Sequence, residues 1–384
     1  MVINTIINLN PLKARNFSPN KNFKRLKVLI LSPAPYNIAP SQRFRYEHYL
    51  KSGPQHDIEF RLSSFYDLTT WKKLYLPANY TGKVIGIIKG FLKRFFTLFT
   101  LFRYDFVYIH REVAPVGPPV FEWLIAKLFR KKIIYDFDDA IWVEYTSAAN
   151  KGFGSLKCTW KVGYICKWSK TVSVGNQYLA KYAKRYCKDV RIIPTVVNTA
   201  DAHIFVKDQS DKTLTIGWTG TFTNFIHLSL VEEPIRKLQE KYGCQFLIIA
   251  DRDPLLQNVP YTFKKWNAAT EAKDLLTMNI GIMPLHDMEI VYGKCAFKAI
   301  QYMSLGIPAV VTPIEANCEV VDDNKNGFWA GGSEEWYNNL EKLLLSQSLR
   351  EQFGIDARNK IQISYSVAAT ESAFFELFTS KTNE

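Results

Sequence analysis

Several familiar signatures are missing from this 384-residue chain. Its six cysteines form no CxxC pair and match no zinc-ligand spacing, so a zinc framework is excluded. Thiols in a reducing compartment are the expected state. No GxGxxG follows the first apolar run, which argues against a dinucleotide oxidoreductase. Short repeats, low-complexity blocks and recognisable nucleic-acid modules are also lacking, so solenoids and nucleic-acid binders lose support. The opening residues lack the long apolar core and small-residue cleavage site of a secretory signal. Residues 1–25 are expected to form a loose basic leader. Acidic charge is scarce: 36 Asp and Glu face 49 Lys and Arg, a formal net charge of +13. Such an excess favours anionic substrates or an anionic surface.

What is present is ordinary for a folded protein, with 47% hydrophobic and 22% charged residues. One core seldom serves a chain this long, so two domains are expected. Short apolar runs stopped by turn residues recur at Lys27–Ser32, Ile58–Ser64, Asp105–His110, Lys132–Asp138, Thr171–Gly175 and Arg191–Pro194. They read as buried parallel strands. Helical stretches, among them Arg43–Lys51 and Val120–Phe129, separate them. After the polar bridge Asn198–Asp211, a second series begins at Leu214–Trp218 and continues at Gln245–Ala250, Ile280–Pro284 and Ala309–Thr312. Its helices are expected at Leu228–Lys241, Phe297–Leu305 and Glu334–Gln347. Alternating strands and helices give an α/β fold of two doubly wound, Rossmann-like domains facing across a cleft. The expected boundaries are 26–197 and 198–365, with a helix in 366–384 returning to the first domain. Ligands in such sheets sit beyond the carboxyl ends of the strands, so residues there carry the functional weight.

The segment Gly293–Pro308, GKCAFKAIQYMSLGIP, begins with Gly293 and Lys294 and opens a helix near Ala296. A helix start offers free N–H groups and partial positive charge, suited to phosphate. Lys294 and Lys298 would stand near it and form a diphosphate cradle. Solvated surface lysines are the alternative. QYMSLGIP resembles the donor-binding helix of retaining GT-B glycosyltransferases of family 4, the group 1 glycosyltransferases. Asn317–Phe328 and the Pro194 junction are also similar to that family. The resemblance implies a nucleotide-sugar donor bound by the second domain and an acceptor by the first. It further implies no cofactor and no metal requirement, the nucleotide-sugar being a substrate.

The chain departs from that pattern. Gly293 and Gln301 occupy the places of the family's two glutamates. The loop Trp218–His227 carries neither the Arg nor the Lys that relatives place there, leaving Gly220 and Thr221 as donors. Donor binding is therefore assigned to Gly220, Thr221, Lys294, Lys298 and Gln301. His110, at the end of an expected strand, matches the place of an acceptor-side histidine. Asp136, Asp138 and Asp139 crowd the next strand end. Catalytic roles are assigned to His110, Asp138 and Asp139, and acceptor binding to Arg43, Arg45 and Asp136. Structural alternatives remain: ion pairs for the arginines, a satisfied histidine, and helix capping for the aspartates.

Lys83–Arg103 reads as a basic amphipathic helix. Ile87, Ile88, Phe91, Leu92, Phe95, Leu98, Phe99 and Phe102 share one side, while Lys89, Lys93, Arg94 and Thr97 share the other. Its interior charges argue against spanning a membrane. It would rest on an anionic membrane surface or pack on the first sheet. The resulting expectation is a cytoplasmic, peripheral glycosyltransferase acting on a glycan or lipid-linked acceptor in surface polysaccharide or glycolipid synthesis. The alternatives are a nucleotide-sugar epimerase and a non-catalytic sugar-nucleotide or lipid-binding partner of a transferase.

Overall fold

The computed structural model describes residues 25–74, 80–144 and 155–379. Apart from Arg25, the expected basic leader lies outside the described residues. Two six-stranded, wholly parallel sheets organise the chain. The first holds β1 (Leu26–Ser32), β2 (Ile58–Ser64), β3 (Phe106–His110), β4 (Lys132–Phe137), β5 (Thr171–Val174) and β6 (Val190–Ile192), in the order β2-β1-β3-β4-β5-β6. The second holds β7 (Thr215–Gly220), β8 (Gln245–Ala250), β9 (Thr262–Lys265), β10 (Ile280–Met283), β11 (Ala309–Val311) and β12 (Gly327–Trp329), in the order β12-β11-β10-β7-β8-β9. The two-sheet α/β reading holds.

Two strands escaped the sequence reading. β9 and β12 are the outer strands of the second sheet. β9 is a mostly exposed TFKK segment, and β12 is three residues long, so neither shows the apolar run of an interior strand. The expected helix Arg43–Lys51 is also corrected. A short helix, Pro40–Arg43, is followed by 3-10 turns over Glu47–His56, which contain Gly53 and Pro54. A proline cannot continue an α-helix, and these turns are the tighter alternative.

Each sheet is covered on both faces, as buried parallel strands require. On one face of the first sheet, Leu29, Val107, Ile109 and Ile133 pack with Leu98, Ile125, Ile165 and Leu179 of the crossover helices. On the other face, Val28, Ile30 and Tyr108 pack with Tyr46, Tyr49, Phe374 and Phe378. Phe374 and Phe378 come from the chain's far end, through the helix Val367–Phe375 and the turn after it. Phe374 stacks on Tyr49 with centroids 4.2 Å apart, and Tyr49 Oη lies 2.6 Å from Thr370 Oγ1.

The helix Tyr80–Leu98 corrects the amphipathic reading in one respect. Its apolar side is two stripes. Ile87, Phe91 and Leu98 pack inward, while Ile88, Leu92, Phe95, Phe99 and Phe102 stay 50 to 74% exposed. Arg94, expected on the solvent side, lies on the inner stripe and is fully buried. The reason is geometric: positions 87, 91, 94 and 98 advance by four, three and four residues and fall on one line of a helix. Arg94 donates to Ser32 O and Val113 O, and to both Ser63 O and Oγ, at 2.8–2.9 Å. It thereby ties off carbonyls at the carboxyl edge of the first sheet. Among the described residues, no helix is long and apolar enough to cross a membrane.

Candidate functional site

Strand order reverses at β1/β3 in the first sheet and at β7/β10 in the second. Ligands favour the carboxyl side of such switch points. His110 ends β3 and Gly220 ends β7, so the two switch points supply facing walls of one cleft.

The walls touch. Asn176 caps the helix Gln177–Ala183 through its Oδ1, and its Nδ2 donates to Gly293 O at 3.2 Å and Lys294 O at 3.0 Å. Cys295 Sγ donates to Asp138 O at 3.2 Å. Phe44 and Phe297 rings meet at 4.1 Å, and Arg43 Nη2 pairs with Glu271 Oε2 at 3.0 Å. Gly293 explains how the halves come so close. A Cβ there would stand 2.4 Å from Ala140 N and 2.6 Å from Ala140 Cβ. The position that the resemblance pairs with a glutamate has no room for a side chain in this arrangement.

On the second wall, the helix Phe297–Ser304 begins after Ala296, which adopts φ 52°, a left-handed conformation uncommon for alanine. Lys298 stands on its first turn. Its Nζ lies 5.5 Å from the centre of the Trp218 ring, and its Cε would be 3.0 Å from a Cβ at position 220. Gly220 leaves space first for the Trp218 ring, 2.4 Å from where a Cβ would stand, and then for the lysine stem, while Thr221 bonds Thr223 through their hydroxyls at 2.9 Å. Lys294 Nζ donates to Asn224 Oδ1 at 3.1 Å. Among the described residues, neither lysine forms an ion pair with a carboxylate. Burial, reinforced by Lys294, pushes the Lys298 ammonium down to about 7; Asp139 pulls weakly the other way. His227 is pushed down to about 4, first by burial and then by both lysines. Neither lysine is ion-paired among the described residues, and a bound anion would favour the charged form of Lys298.

Gln301, the other substituted position, is buried. Its Nε2 donates to Glu271 Oε1 at 3.2 Å, and Trp266 Nε1 donates to the same oxygen at 2.9 Å. A carboxylate therefore does stand beside position 301, brought by a separate element. Sequence reading missed Glu271 because its partners Arg43 and Gln301 are remote in the chain. Arg43 also stacks near Phe44 and Trp266, with its Cζ 4.7 and 5.7 Å from the ring centres.

On the first wall, His110 is fully buried between two partners. Its Nδ1 lies 2.9 Å from Asp136 Oδ2, and its Nε2 lies 3.4 Å from Ser41 Oγ. Ser41 is half-buried and forms the cleft-side end of this row. The chain's own Pro40-Ser41 turn places it there, and sequence reading gave it no role. Arg45 and Asp136 are corrected in their expected part. Both are buried: Arg45 Nη2 pairs with Asp136 Oδ1 at 2.5 Å and donates to Ser173 Oγ, while its Nη1 donates to Ile193 O. Neither can touch an acceptor; together they hold His110. The guanidinium and His110 keep the Asp136 carboxyl well below the usual range despite its burial.

Asp138 is similarly occupied: Arg111 Nε and Nη2 both donate to its Oδ1, at 3.0 and 2.7 Å. Arg111 sits at φ 61°, so the backbone is bent sharply just after His110. Asp139 is the freer of the pair, 30% exposed, with Arg111 Nη2 3.9 Å away. Of the three aspartates, Asp139 is the one whose charge acts on Lys298. Among the described residues, no group of three or more His, Cys, Asp or Glu is arranged to hold a metal ion.

Comparison with known proteins agrees with this geometry. Residues 258–360 match the family model of glycosyl transferases group 1. Comparison of the full sequence with curated proteins finds no match. Solved structures do match. Sucrose-phosphate synthase from Thermosynechococcus elongatus superposes with a TM-score of 0.65 at 12% identity, covering 92% of this chain and 98% of its own. A glycosyltransferase from Rickettsia africae ESF-5 gives 0.64 at 12% identity, covering 94% and 100%. HepE from Anabaena, in complex with UDP and glucose, gives 0.62 at 12% identity, covering 92% and 100%. The fold is therefore GT-B, and residues 258–360 of its second half are similar to group 1 glycosyl transferases.

Proposed function

We propose that this protein transfers a sugar from a nucleotide-sugar to an acceptor held by the first sheet, with retention at the anomeric carbon. The observation that carries the reading is the pair Lys294 and Lys298, cations without a carboxylate partner, at the switch point of a group 1 glycosyltransferase domain. They would neutralise the diphosphate and stabilise the charge that develops as it leaves. Gly220 and Thr221 would contribute close backbone and hydroxyl contacts. Gln301 and Glu271 stand together where ribose hydroxyls would be held.

Across the cleft, Ser41 and His110 would orient the acceptor hydroxyl, with Asp136 and Arg45 as the frame behind them. Asp139 would contact the sugar. The leaving diphosphate itself takes the acceptor proton in this mechanism, so positioning supplies most of the catalysis. No cofactor enters it. The acceptor is a glycan or lipid-linked sugar of a surface polysaccharide or glycolipid, met at the inner face of the cytoplasmic membrane, where the exposed stripe Ile88–Phe102 would rest on anionic lipid.

The test is turnover of a panel of nucleotide-sugars with product analysis by NMR. Transfer, or slow donor hydrolysis, with retained configuration is expected. An inverted product would remove the retaining mechanism. Tight nucleotide binding without turnover of any donor would favour a second reading, a non-catalytic sugar-nucleotide-binding protein, to which the bare Gly293 position lends weight.

A further inference from the structure

The outer surface of the first sheet carries a feature that the cleft does not use. The helices Tyr80–Leu98, Val120–Leu128 and Lys161–Trp168 lie over one face of that sheet. Between the second and third runs an open slot of about 240 Å³, lined by Pro118, Pro119, Val120, Trp123, Trp160, Tyr164 and Trp168. Its walls are hydrocarbon and aromatic. Val120, Trp123, Trp160 and Tyr164 are about half exposed, at 47 to 54%. Phe91 of the first helix meets Phe121 of the second at 5.8 Å, so those two helices pack against each other beneath the surface. Exposed apolar and aromatic side chains gathered along one slot mark an interaction site.

Charge narrows the choice of occupant. The exposed ionic side chains on these helices, Lys89, Lys93, Lys127 and Lys167, are cations, as is Lys157 just before the third; the exposed Asp67 offsets Lys89 and Lys93, which leaves Lys127, Lys157 and Lys167 on the two helices that wall the slot. The one carboxylate within them, Glu122, is buried and accepts from Val113 N at 3.0 Å. A basic rim around aromatic and aliphatic walls fits an anionic lipid, with tryptophan at the level of the headgroups.

The slot is also fastened to the cleft. Lys161, on the helix that follows Trp160, is buried and donates to Ala114 O at 2.9 Å while pairing with Glu112 Oε2 at 2.7 Å. Both partners lie on the loop that leaves His110. That loop turns at Gly117, at φ 87°, whose N–H donates to Leu156 O at 2.7 Å, and then forms the slot wall at Pro118. One short loop thus joins the acceptor-side histidine to the slot.

We propose that the slot holds the hydrocarbon tail of the acceptor, making the acceptor a sugar carried on a lipid phosphate, whose sugar end reaches the cleft at His110 and Ser41. This rests on the glycosyl-transfer reading. Tail binding fixes the acceptor's depth and direction, so the sugar end arrives already oriented.

The experiment is equilibrium dialysis of radiolabelled farnesyl phosphate, below its micelle concentration, against the full chain, with UDP affinity measured in parallel by calorimetry. Wild type is expected to bind the probe saturably. Trp160→Ala should weaken it tenfold or more, Trp160→Phe should restore most of it, and UDP affinity should be equal in all three. Leu92→Ser should leave the dialysis unchanged while reducing flotation with phosphatidylglycerol vesicles. No saturable binding by wild type, or equal binding by Trp160→Ala, overturns the proposal. So does a Trp160-dependent dimer in light scattering, which would make the slot an interface between copies. If the probe binds but UDP does not, the slot is not an acceptor site of this reaction; if UDP binds and the probe does not, only the tail assignment falls.

Discussion

Single residues give the sharpest expectations. Lys298 stands at about 7 when the cleft is empty. A diphosphate beside it would favour the charged form and raise that value. Binding should therefore take up a proton above pH 7, and affinity should fall as pH rises through 7 towards the bound-state value. Calorimetry of a non-titrating UDP-sugar in buffers of different ionisation enthalpy checks this. Uptake approaching one proton near pH 8 and little near pH 6 is expected. Asp136 offers a stability counterpart. Replacing it by Asn leaves the buried Arg45 without its counter-ion, which should cost about 3–5 kcal/mol in denaturant unfolding. Because its folded pKa is depressed, that contribution is full above the ordinary carboxylate value, about 4, and fades as pH falls below it. The gap between wild type and Asp136→Asn should accordingly narrow in acid. Gly293→Glu tests the close approach of the two halves at position 293. The missing carboxylate has nowhere to go, since Ala140 occupies the space. The variant is expected to hold the halves apart, raising the radius of gyration in solution scattering and slowing turnover.

At the level of elements, interior strands were legible because burial on both faces demands unbroken apolar runs. The outer strands β9 and β12 were not, because an edge has no such demand. The helix Phe297–Ser304 was legible from its stop at Gly306, which does adopt a left-handed φ of 71°. The rest of the site was less so. Ser41, Asn176 and Glu271 act through contacts with residues distant in sequence, and nothing local in their segments marks them. Arg94 misled for a different reason: a charge on a basic helix is normally solvated, yet here strand-end carbonyls satisfy it. Gly86 and Gly90 were the local signal for that inner stripe. Cβ atoms there would stand 2.1 Å from Thr70 Cγ2 and 2.2 Å from the Phe65 ring. The helix Val367–Phe375 makes a separate prediction. Phe374→Ala removes a buried ring from the first sheet's core and should cost about 3–5 kcal/mol, read as a lowered unfolding midpoint.

For the whole molecule, the two sheets present their switch points to one cleft, and contacts between them come from both sides of the chain. The first half supplies Asn176, Asp138 and Arg43, while the second supplies the 293–295 segment and Glu271. The cleft is thus assembled only when both halves meet, and the positive pair Lys294 and Lys298 is set at its floor. Calorimetric titration of UDP into wild type and Lys298→Ala at pH 7 tests that arrangement most directly. The account predicts binding by wild type and a loss of tenfold or more in the variant, with both proteins unfolding at similar denaturant concentration. Equal affinity in the two proteins would contradict it.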